Sequence, residues 1–486
     1  MSGVGHRAAI LTLARFANYG LMILSPVILT RLLTVGQFGR YREFLLYTSV
    51  LSSLAVFSIN DSLLYFVPAH PQSRWRTVRQ TAALIGASSL TVVTLLIVAD
   101  RASGGGVVGT FLWPLCAYVL VSSNLDFWDY YWVATDRPGL VFGYSAVRLA
   151  ARVTVATGTA ALTHSVRDII WALIGLESLR VLAVAGVMLR IDASAREPPL
   201  REPWREQLRY CLPSGAASAL AMLNGNLAGL VVARVLGAVA LAQFAIGRFG
   251  DPLVVTLRNS VSSVVLPEMV RRGRSREGPL ALWRRATVVN TLALFPVVVL
   301  VLRFATPLVV TVFGAAYAPA ATVLKIYMLV VVRDCFDFAP ALRAVNRTRP
   351  LLLSNTAAIL ATALLLAVLV PAAGIDGAIA AFALGTWVDA LCLAVSAMRH
   401  YGVGFGALIP WRSVLKVALA ALAAAAVLAT SLWGELLGAA GMVPAAALYL
   451  GVFALLALAL RVPEGQLLLE RLRRLIPSLT AALRRT

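Results

Sequence analysis

Residues 29–41 read LTRLLTVGQFGRY, and residues 231–245 read VVARVLGAVALAQFA. Each stretch contains an arginine that is followed by aliphatic residues, a link of small residues and the pair Gln-Phe. The two arginines lie 203 residues apart and the two Gln-Phe pairs 206 residues apart, while the Arg-Pro pairs at 137–138 and 349–350 are 212 residues apart. Three matches at nearly one spacing predict an internal repeat, with one copy in each half of the chain.

The composition is that of a membrane protein. Hydrophobic residues make up 60% of the 486 residues and charged residues only 13%, and the mean hydropathy is +0.83. Soluble domains are roughly 45–50% apolar and about 25% charged. Because a membrane helix needs about 20 apolar residues, the sequence predicts an all-α, polytopic membrane protein with about fourteen transmembrane helices. The apolar stretches are centred near residues 20, 54, 89, 120, 152, 179, 222, 255, 299, 331, 361, 387, 422 and 451.

Basic residues are distributed unevenly between the predicted loops. The chain has 43 Lys and Arg against 22 Asp and Glu, a formal net charge of +21. With the amino terminus inside, the cytoplasmic segments hold 28 basic residues and the outside loops hold 7. Because basic loops stay in the cytoplasm, this asymmetry predicts that both termini are cytoplasmic and that the number of spans is even. The charge thus has a topological role, and nucleic acid is not expected as a partner.

The repeat predicts the domain organisation. Six spans separate equivalent positions, so both copies enter the membrane in the same direction and form two pseudo-symmetric lobes around a central cavity. We expect an N-terminal six-helix lobe at 1–200 and a C-terminal six-helix lobe at 201–402. An additional helix pair at 403–462 and a cytoplasmic, amphipathic basic tail at 463–486 are expected to follow.

Three stretches carry a resemblance to a known family. They are ILTRLLTVGQFGRY (28–41), FGAAYAPAATVLKIYML (313–329) and PAAGIDGAIAAF (371–382). They resemble the polysaccharide-transporter branch of the multidrug/oligosaccharidyl-lipid/polysaccharide exporter superfamily, over about residues 8–460. The resemblance implies two six-helix lobes with two extra helices in a bacterial plasma (inner) membrane. It also implies a flippase that moves an undecaprenyl-diphosphate-linked oligosaccharide from the inner to the outer leaflet by alternating access, for cell-surface polysaccharide synthesis. Membrane lipids are expected to contact it, and a polysaccharide polymerase and glycosyltransferases are further candidate partners.

Sixteen ionisable residues lie inside the predicted spans. A charge at the bilayer centre costs at least about 2.5–3.5 kcal/mol, so these residues need partners or water. The first half contains Arg15, Arg148, Arg152, Arg180, Asp61, Asp126, Asp129 and Glu177. The second half contains Arg248, Arg258, Lys325, Arg333, Asp251, Asp334, Asp337 and Asp389. Four positive and four negative residues in each half predict an interior that is mostly ion-paired.

Depth in the membrane predicts particular pairs. The spans around residues 120 and 152 turn near residue 138, and a helix rises 1.5 Å per residue, so residues equally far from the turn lie at one level. By this count Asp129 is level with Arg148, and Asp126 is level with Arg152. Both pairs are within side-chain reach if the two helices touch.

Two further groups are predicted in the same way. Arg15 and Asp61 lie level in the first hairpin, and we expect the carboxylate to neutralise the arginine until a diphosphate displaces it. On the span around residue 255, Arg248, Asp251 and Arg258 fall within about an 80° arc of one helical face. Two positive charges against one negative charge leave that face with unneutralised positive charge.

Arginine is the residue expected at a diphosphate site, because its guanidinium group binds phosphate oxygens bidentately. The candidate headgroup contacts are Arg15 and Arg258, followed by Arg248, Arg148 and Arg152. The candidate coupling or ion-pair residues are Asp61, Asp126, Asp129 and Asp251. A purely structural ion pair is the alternative for each of them.

Other chemistry is weakly represented in the sequence. The four cysteines are scattered through the spans, and no motif indicates a nucleophile, so no metal, cofactor or enzymatic activity is expected. Two alternatives to a flippase stay open. A cation-coupled multidrug exporter of the same superfamily would favour an apolar or acidic cavity. A membrane-embedded polysaccharide polymerase or ligase would need a long active-site loop, whereas the outside connections here have roughly a dozen residues.

Overall fold

A computed structural model describes residues 24–104, 106, 108–192, 204–271, 277–429 and 441–462. These residues are mainly helical, and no β-strand occurs among them. Long apolar helices dominate, so the prediction of an all-α, polytopic membrane protein is confirmed. Arg15 and the tail at 463–486 lie outside the described residues.

The chain forms two compact units, Met1–Ala242 and Gln243–Thr486. The helices up to the boundary are α1 (Val35–Val56), α2 (Leu63–Ala69), α3 (Arg74–Ala102), α4 (Leu112–Ser123), α5 (Trp128–Ala134), α6 (Pro138–Thr163), α7 (Val166–Asp192), α8 (Trp204–Val231) and α9 (Gly237–Gly247). The division falls within α9, later in the chain than the basic link near residue 200 at which the sequence predicts a change of lobe.

The second unit continues with a further series of helices. They are α10 (Asp251–Arg271), α11 (Glu277–Phe313), α12 (Ala320–Asp334), α13 (Ala339–Ala344), α14 (Arg349–Tyr401), α15 (Phe405–Leu408), α16 (Trp411–Ala424) and α17 (Met442–Ala459). Gly374 interrupts α14 with a φ of 55° and a ψ of −126°, a backbone conformation that glycine adopts readily because it has no Cβ.

Seven helices of the described part are long and apolar enough to cross a membrane, or eight if the bent pair α1 and α2 forms one span. This number is lower than the predicted fourteen for three reasons. The span predicted near residue 20 lies mainly outside the described residues. Two predicted spans fall within the continuous element Trp204–Arg271 and two within α14. In addition, α4, α12 and α16 are shorter than 18 residues, because turns follow α4 and α12 and a 3-10 segment follows α16. Each predicted stretch that lies within the described residues falls on helix.

The two copies of the repeat share an unusual turn. Asp136 and Asn346 both adopt a left-handed φ, of 56° and 57°, directly after the short helices α5 and α13. The amide of the following residue donates to a carbonyl near the end of the short helix, at 2.8 Å in the first copy and 2.9 Å in the second. A long helix with proline in its first turn then begins in each copy. The same local turn therefore occurs twice, although the Arg-Pro pair follows Asp136 by one residue and Asn346 by three.

The two stretches quoted first pack against each other. Gly39, early in α1, lies so close to α9 that an added Cβ would be 1.8 Å from the carbonyl oxygen of Ala238. One turn earlier, a Cβ at Gly36 would lie 3.8 Å from a methyl group of Val239, which is an ordinary contact. Glycine is thus required at the first position because a backbone carbonyl occupies the space of a side chain.

The additional helix pair belongs to the second unit and packs against α11. Val417 of α16 and Tyr449 of α17 are fully buried in one apolar cluster with Val288 of α11. The hydroxyl of Tyr449 donates to the carbonyl of Ala421 at 3.3 Å. This pair is therefore attached through α11.

Candidate functional site

Three arginines and two carboxylates form a cluster inside the first unit. Arg148 on α6 donates from Nη1 to both carboxylate oxygens of Asp126, at 2.6 and 2.7 Å. Its Nη2 lies 3.4 Å from Oε1 of Glu177 on α7. Asp126 belongs to the non-helical residues between α4 and α5, whereas the Glu177 side chain is only 2% exposed. Arg148 is therefore neutralised from two sides.

Arg180 joins this cluster by hydrogen bonds to the end of α4 and to the non-helical residues 124–127 that follow it. Its Nε donates to Oε2 of Glu177 at 2.6 Å. Its Nη groups donate at 2.6–3.1 Å to the carbonyl oxygens of Val121, Ser122, Asn124 and Leu125. Two of these carbonyls belong to the last turn of α4 and two follow it. Intrahelical donors run out there, and an unpaired carbonyl in a membrane costs several kcal/mol. Arg180 thus has a structural role.

Arg152 is the least neutralised arginine of the cluster. It lies one turn after Arg148 on α6 and donates to the hydroxyl of Tyr118 at 2.6 Å. Its Nη1 lies 4.0 Å from the Glu177 carboxylate, and its side chain is 35% exposed. Arg152 also lines a cavity of about 170 Å³ together with Arg42. Among the described residues of this cluster, three guanidinium groups meet two carboxylates, an excess of one positive charge. Arg152 is the arginine best placed to offer it to a ligand.

The pairs differ from those that depth predicts. Depth matches Arg148 with Asp129 and Arg152 with Asp126. In the structure Arg148 binds Asp126, while Oδ2 of Asp129 accepts a hydrogen bond from Ser145 at 3.2 Å. The depth count assumes a continuous helix, but the residues between α4 and α5 are not helical and do not rise by 1.5 Å each.

A second cluster, in the second unit, has the opposite balance. Arg258 on α10 donates to Asp334 at 2.9 Å, and its Nε lies 3.8 Å from Asp337. Arg333 on α12 shares Asp334, at 3.0 Å, and also binds Asp389 on α14. The three carboxylates are 4–15% exposed. Two guanidinium groups against three carboxylates leave one excess negative charge.

The predicted face of unneutralised positive charge is therefore wrong for Arg258. Arg248 does not share a continuous helical face with it, because the residues before Asp251 form a turn. Arg248 pairs with Asp251 at 2.9 Å, and its guanidinium carbon lies 4.2 Å from the ring centre of Phe382, a cation–π distance. The Tyr327 hydroxyl donates to the second oxygen of Asp251 at 2.5 Å.

Asp61 lies in the single turn of 3-10 helix between α1 and α2, beside Tyr130 of α5. Its neighbour Asn60 donates to the carbonyl of Asp126 at 2.9 Å, so this turn contacts the first cluster. The predicted partner of Asp61, Arg15, lies outside the described residues, and the pair stays a prediction.

Several residues that complete these sites were not selected as site residues from the sequence. Tyr118, Tyr327 and Phe382 belong to spans, where an aromatic residue is expected to pack rather than to hold an arginine. The ion pair between Glu177 and Arg180 could have been predicted from the sequence, because residues three apart on a helix face each other.

Comparisons with known proteins match part of the chain to one family and most of it to the fold of two solved structures. A family model described as "Polysaccharide biosynthesis protein" matches residues 108–322. The solved structure titled "Lipid II flippase MurJ, inward closed conformation" is similar with a TM-score of 0.70 and 14% identity, over 93% of this chain and 99% of that chain. An inward-facing multidrug resistance MATE family transporter of the MOP superfamily is similar with a TM-score of 0.55 and 14% identity, over 80% of this chain and 94% of that chain. The chain has the fold of this exporter superfamily.

The exporter fold confirms the resemblance that the sequence showed. No curated protein matches the chain significantly. At 14% identity the exporter structures establish the fold alone, and a shared fold does not fix the roles of individual residues.

Proposed function

We propose that this exporter-fold protein is a flippase for a polyprenyl (undecaprenyl)-diphosphate-linked oligosaccharide. It would carry the lipid from the cytoplasmic to the outer leaflet by alternating access between two six-helix lobes, for cell-surface polysaccharide synthesis. The observation that carries the proposal is the excess of guanidinium charge in the first unit. The family match at 108–322 supports a glycan as part of the substrate. We place the protein in the bacterial plasma membrane with both termini in the cytoplasm, on the basis of its basic loops.

Arg152 is our first candidate for the diphosphate contact. Its partner in the resting cluster is the neutral hydroxyl of Tyr118, which a doubly charged diphosphate outcompetes because charge-assisted hydrogen bonds are about twice as strong as neutral ones. The same hydroxyl can then donate to a phosphate oxygen. Arg148 supports the site without leaving Asp126, and Arg15 stays a further candidate.

The acidic cluster is our candidate for energy coupling. A site with one excess negative charge attracts a proton or a cation, and Asp334 is shared between Arg258 and Arg333. Protonation of one carboxylate would change how these two arginines are held, which gives the differential contact that a ligand-driven switch requires. Arg258 and Arg248 are accordingly weaker candidates for the headgroup than the sequence suggested. Asp61, Asp129 and Asp251 stay candidates for coupling or for structural pairs.

The acidic cluster also favours one second function, a cation-coupled multidrug exporter. In that case the substrate would be an organic cation, and the arginines of the first unit would have only structural roles. Replacement of Arg152 should therefore abolish transport by a flippase but leave transport by a multidrug exporter unchanged.

Reconstituted protein decides between them. Proteoliposomes receive either a fluorescent polyprenyl-diphosphate-linked oligosaccharide or a cationic dye, and transport is measured for wild type, Arg152→Gln and the matched control Arg303→Gln. Arg303 is a second membrane arginine, which contacts the carbonyl of Leu428 in the second unit. A flippase is expected to lose glycolipid transport only in Arg152→Gln. If wild type and Arg152→Gln transport the dye equally and neither transports the glycolipid, the protein is a drug exporter and not a flippase.

A further inference from the structure

An aromatic pocket of about 540 Å³ opens on the first unit and includes none of the arginines of the clusters above. Arg74, the first residue of α3, and Arg137, the residue before α6, both line it. Its lining within the described part of the chain contains no carboxylate. The pocket therefore brings two positive groups together without a built-in counter-charge.

The aromatic walls of this pocket are preorganised. Trp75 stacks on Tyr131 with ring centres 5.0 Å apart, and Trp128 stacks on Trp132 at 5.4 Å. Tyr144 meets Trp132 edge-on at 5.4 Å. The rings hold one another in place and belong to a buried apolar cluster with residues of α2, α3 and α7. A ligand would thus bind without ordering the walls first, which saves the entropy that immobilising large side chains costs.

The two arginines are placed for an anion. The guanidinium of Arg74 lies 5.8 Å from the ring centre of Trp75, so the aromatic wall supports it. Each arginine also stands at the amino-terminal end of a long helix, where the helix dipole adds positive potential. Both side chains are exposed, so a ligand reaches them without breaking an internal pair.

The opposite side of the pocket is apolar. Ala183, Val184 and Val187 of α7 form it, and Val187 is itself 47% exposed. Leu140, on the first turn of α6 beyond Arg137, is also 47% exposed. In a membrane protein such a surface faces lipid, so the pocket is continuous with the surface that acyl chains cover. A ligand that fits both sides is an amphiphile with an anionic head.

We propose that this pocket binds the phosphate headgroup of a membrane lipid. Arg74 and Arg137 bind the phosphate oxygens, the tryptophan and tyrosine rings cover the region that joins headgroup and chains, and the chains lie along α7. In membrane proteins generally, aromatic residues lie at the level of the lipid headgroups, and basic pockets between transmembrane helices bind lipid headgroups. The site is separate from the proposed transport site and does not depend on the proposed function.

Lipid titrations of the full-length protein in mild detergent, followed by native mass spectrometry, test this site. The probes are phosphatidylglycerol, which has a net negative headgroup, phosphatidylcholine, which has none, and undecaprenyl diphosphate. The variants are Arg74→Gln with Arg137→Gln, and Arg190→Gln as the matched control. Arg190 is an exposed arginine near the end of α7 that does not line the pocket.

We expect wild type to prefer phosphatidylglycerol to phosphatidylcholine. The double variant should lose affinity for an anionic lipid by about tenfold or more, the effect of two charge-assisted contacts, while the control changes by less than about twofold. Loss restricted to phosphatidylglycerol identifies a bulk phospholipid as the ligand, and loss restricted to undecaprenyl diphosphate identifies the polyprenyl lipid. Equal binding of phosphatidylcholine and both anionic lipids by wild type, or equal losses in the double variant and the control, would overturn the proposal.

A second variant tests the aromatic wall separately from the two arginines. Trp132→Leu removes part of the aromatic wall and keeps both arginines. This variant should bind phosphatidylglycerol and undecaprenyl diphosphate more weakly by a similar factor, and the order of lipid preference should not change. Unchanged affinity for every probe would show that the aromatic wall does not contact lipid and would reject the proposed binding mode.

Discussion

Ser58 donates a hydrogen bond to the hydroxyl of Ser218 at 3.0 Å and so joins the break after α1 to the middle of α8. The adjacent Phe57 lies against Gly215, where an added Cβ would be 2.4 Å from the Phe57 ring and 2.5 Å from its carbonyl oxygen. Nearer the start of α8, the buried amide of Gln207 donates to two hydroxyl groups at 2.7 Å. Polar contacts and a glycine therefore form one seam along α8.

If alternating access separates α8 from α1, a covalent link across this seam should stop transport. The variant Ser58→Cys with Ser218→Cys brings two thiols to positions whose hydroxyl groups are 3.0 Å apart, close enough for a disulfide if the Cβ vectors align. We expect oxidation to abolish glycolipid transport in proteoliposomes and a reductant to restore it. Ser58→Cys alone is the control and should transport under both conditions. Full transport by a completely cross-linked protein would mean that this seam does not open.

The contact between the repeated stretches predicts a difference between two neighbouring glycines. Gly39→Ala places a methyl group on the carbonyl of Ala238 and should lower the free energy of unfolding by about 1–3 kcal/mol, because backbone must shift to admit it. Gly36→Ala, on the same helix, makes only an ordinary contact and should stay within about 0.5 kcal/mol of wild type. Thermal unfolding in one detergent compares them. Equal midpoints for both variants would contradict the close packing at Gly39.

Glu177 and Arg152 should respond differently to loss of charge. Glu177→Gln leaves Arg180 and Arg148 with a neutral partner in a buried site, and breaking such a pair costs about 3–5 kcal/mol. Arg152→Gln removes a partly exposed group held by a hydroxyl, so its unfolding midpoint should stay near that of wild type while transport is lost. A stable Glu177→Gln protein together with an unstable Arg152→Gln protein would reverse the roles that we assign.

The orientation proposed from the basic loops can be tested by labelling. Three of the four native cysteines, Cys116, Cys211 and Cys335, are buried, so background labelling should be low. A cysteine at Ser103, an exposed turn residue after α3, should react with an impermeant thiol reagent in intact cells. A cysteine at Thr348, exposed before α14, should react only after permeabilisation. The reverse pattern would invert the topology.

Hydropathy and repetition predicted the fold because both are local properties of the sequence. Each apolar stretch within the described residues became helix, and a left-handed residue, Asp136 or Asn346, lies shortly before each of the repeated Arg-Pro pairs. The count of uninterrupted spans was less accurate, because turns inside a span leave its hydropathy unchanged.

The ion pairs were predicted only in part, and the substrate-contact roles stay predictions. Charges inside a membrane have to find partners, and Arg148 with Asp126 is such a pair. Which residues pair depends on the breaks at 124–127 and before Asp251, where depth and face cannot be counted along a regular helix. Neutral partners such as Tyr118 could not be predicted, because the sequence prediction matched only charged residues with one another.

The contacts of Arg180 have a consequence for how the chain is made. During synthesis α4 reaches the membrane before residue 180 exists, yet carbonyl groups in the last turn of α4 and just after it receive hydrogen bonds from that later arginine. Until α7 arrives, these groups need water or the lipid interface, since hydrocarbon offers them no donor. The break therefore settles to its final depth only when α7 is inserted, and biogenesis of this region is a joint event of two helices that leave the ribosome at different times.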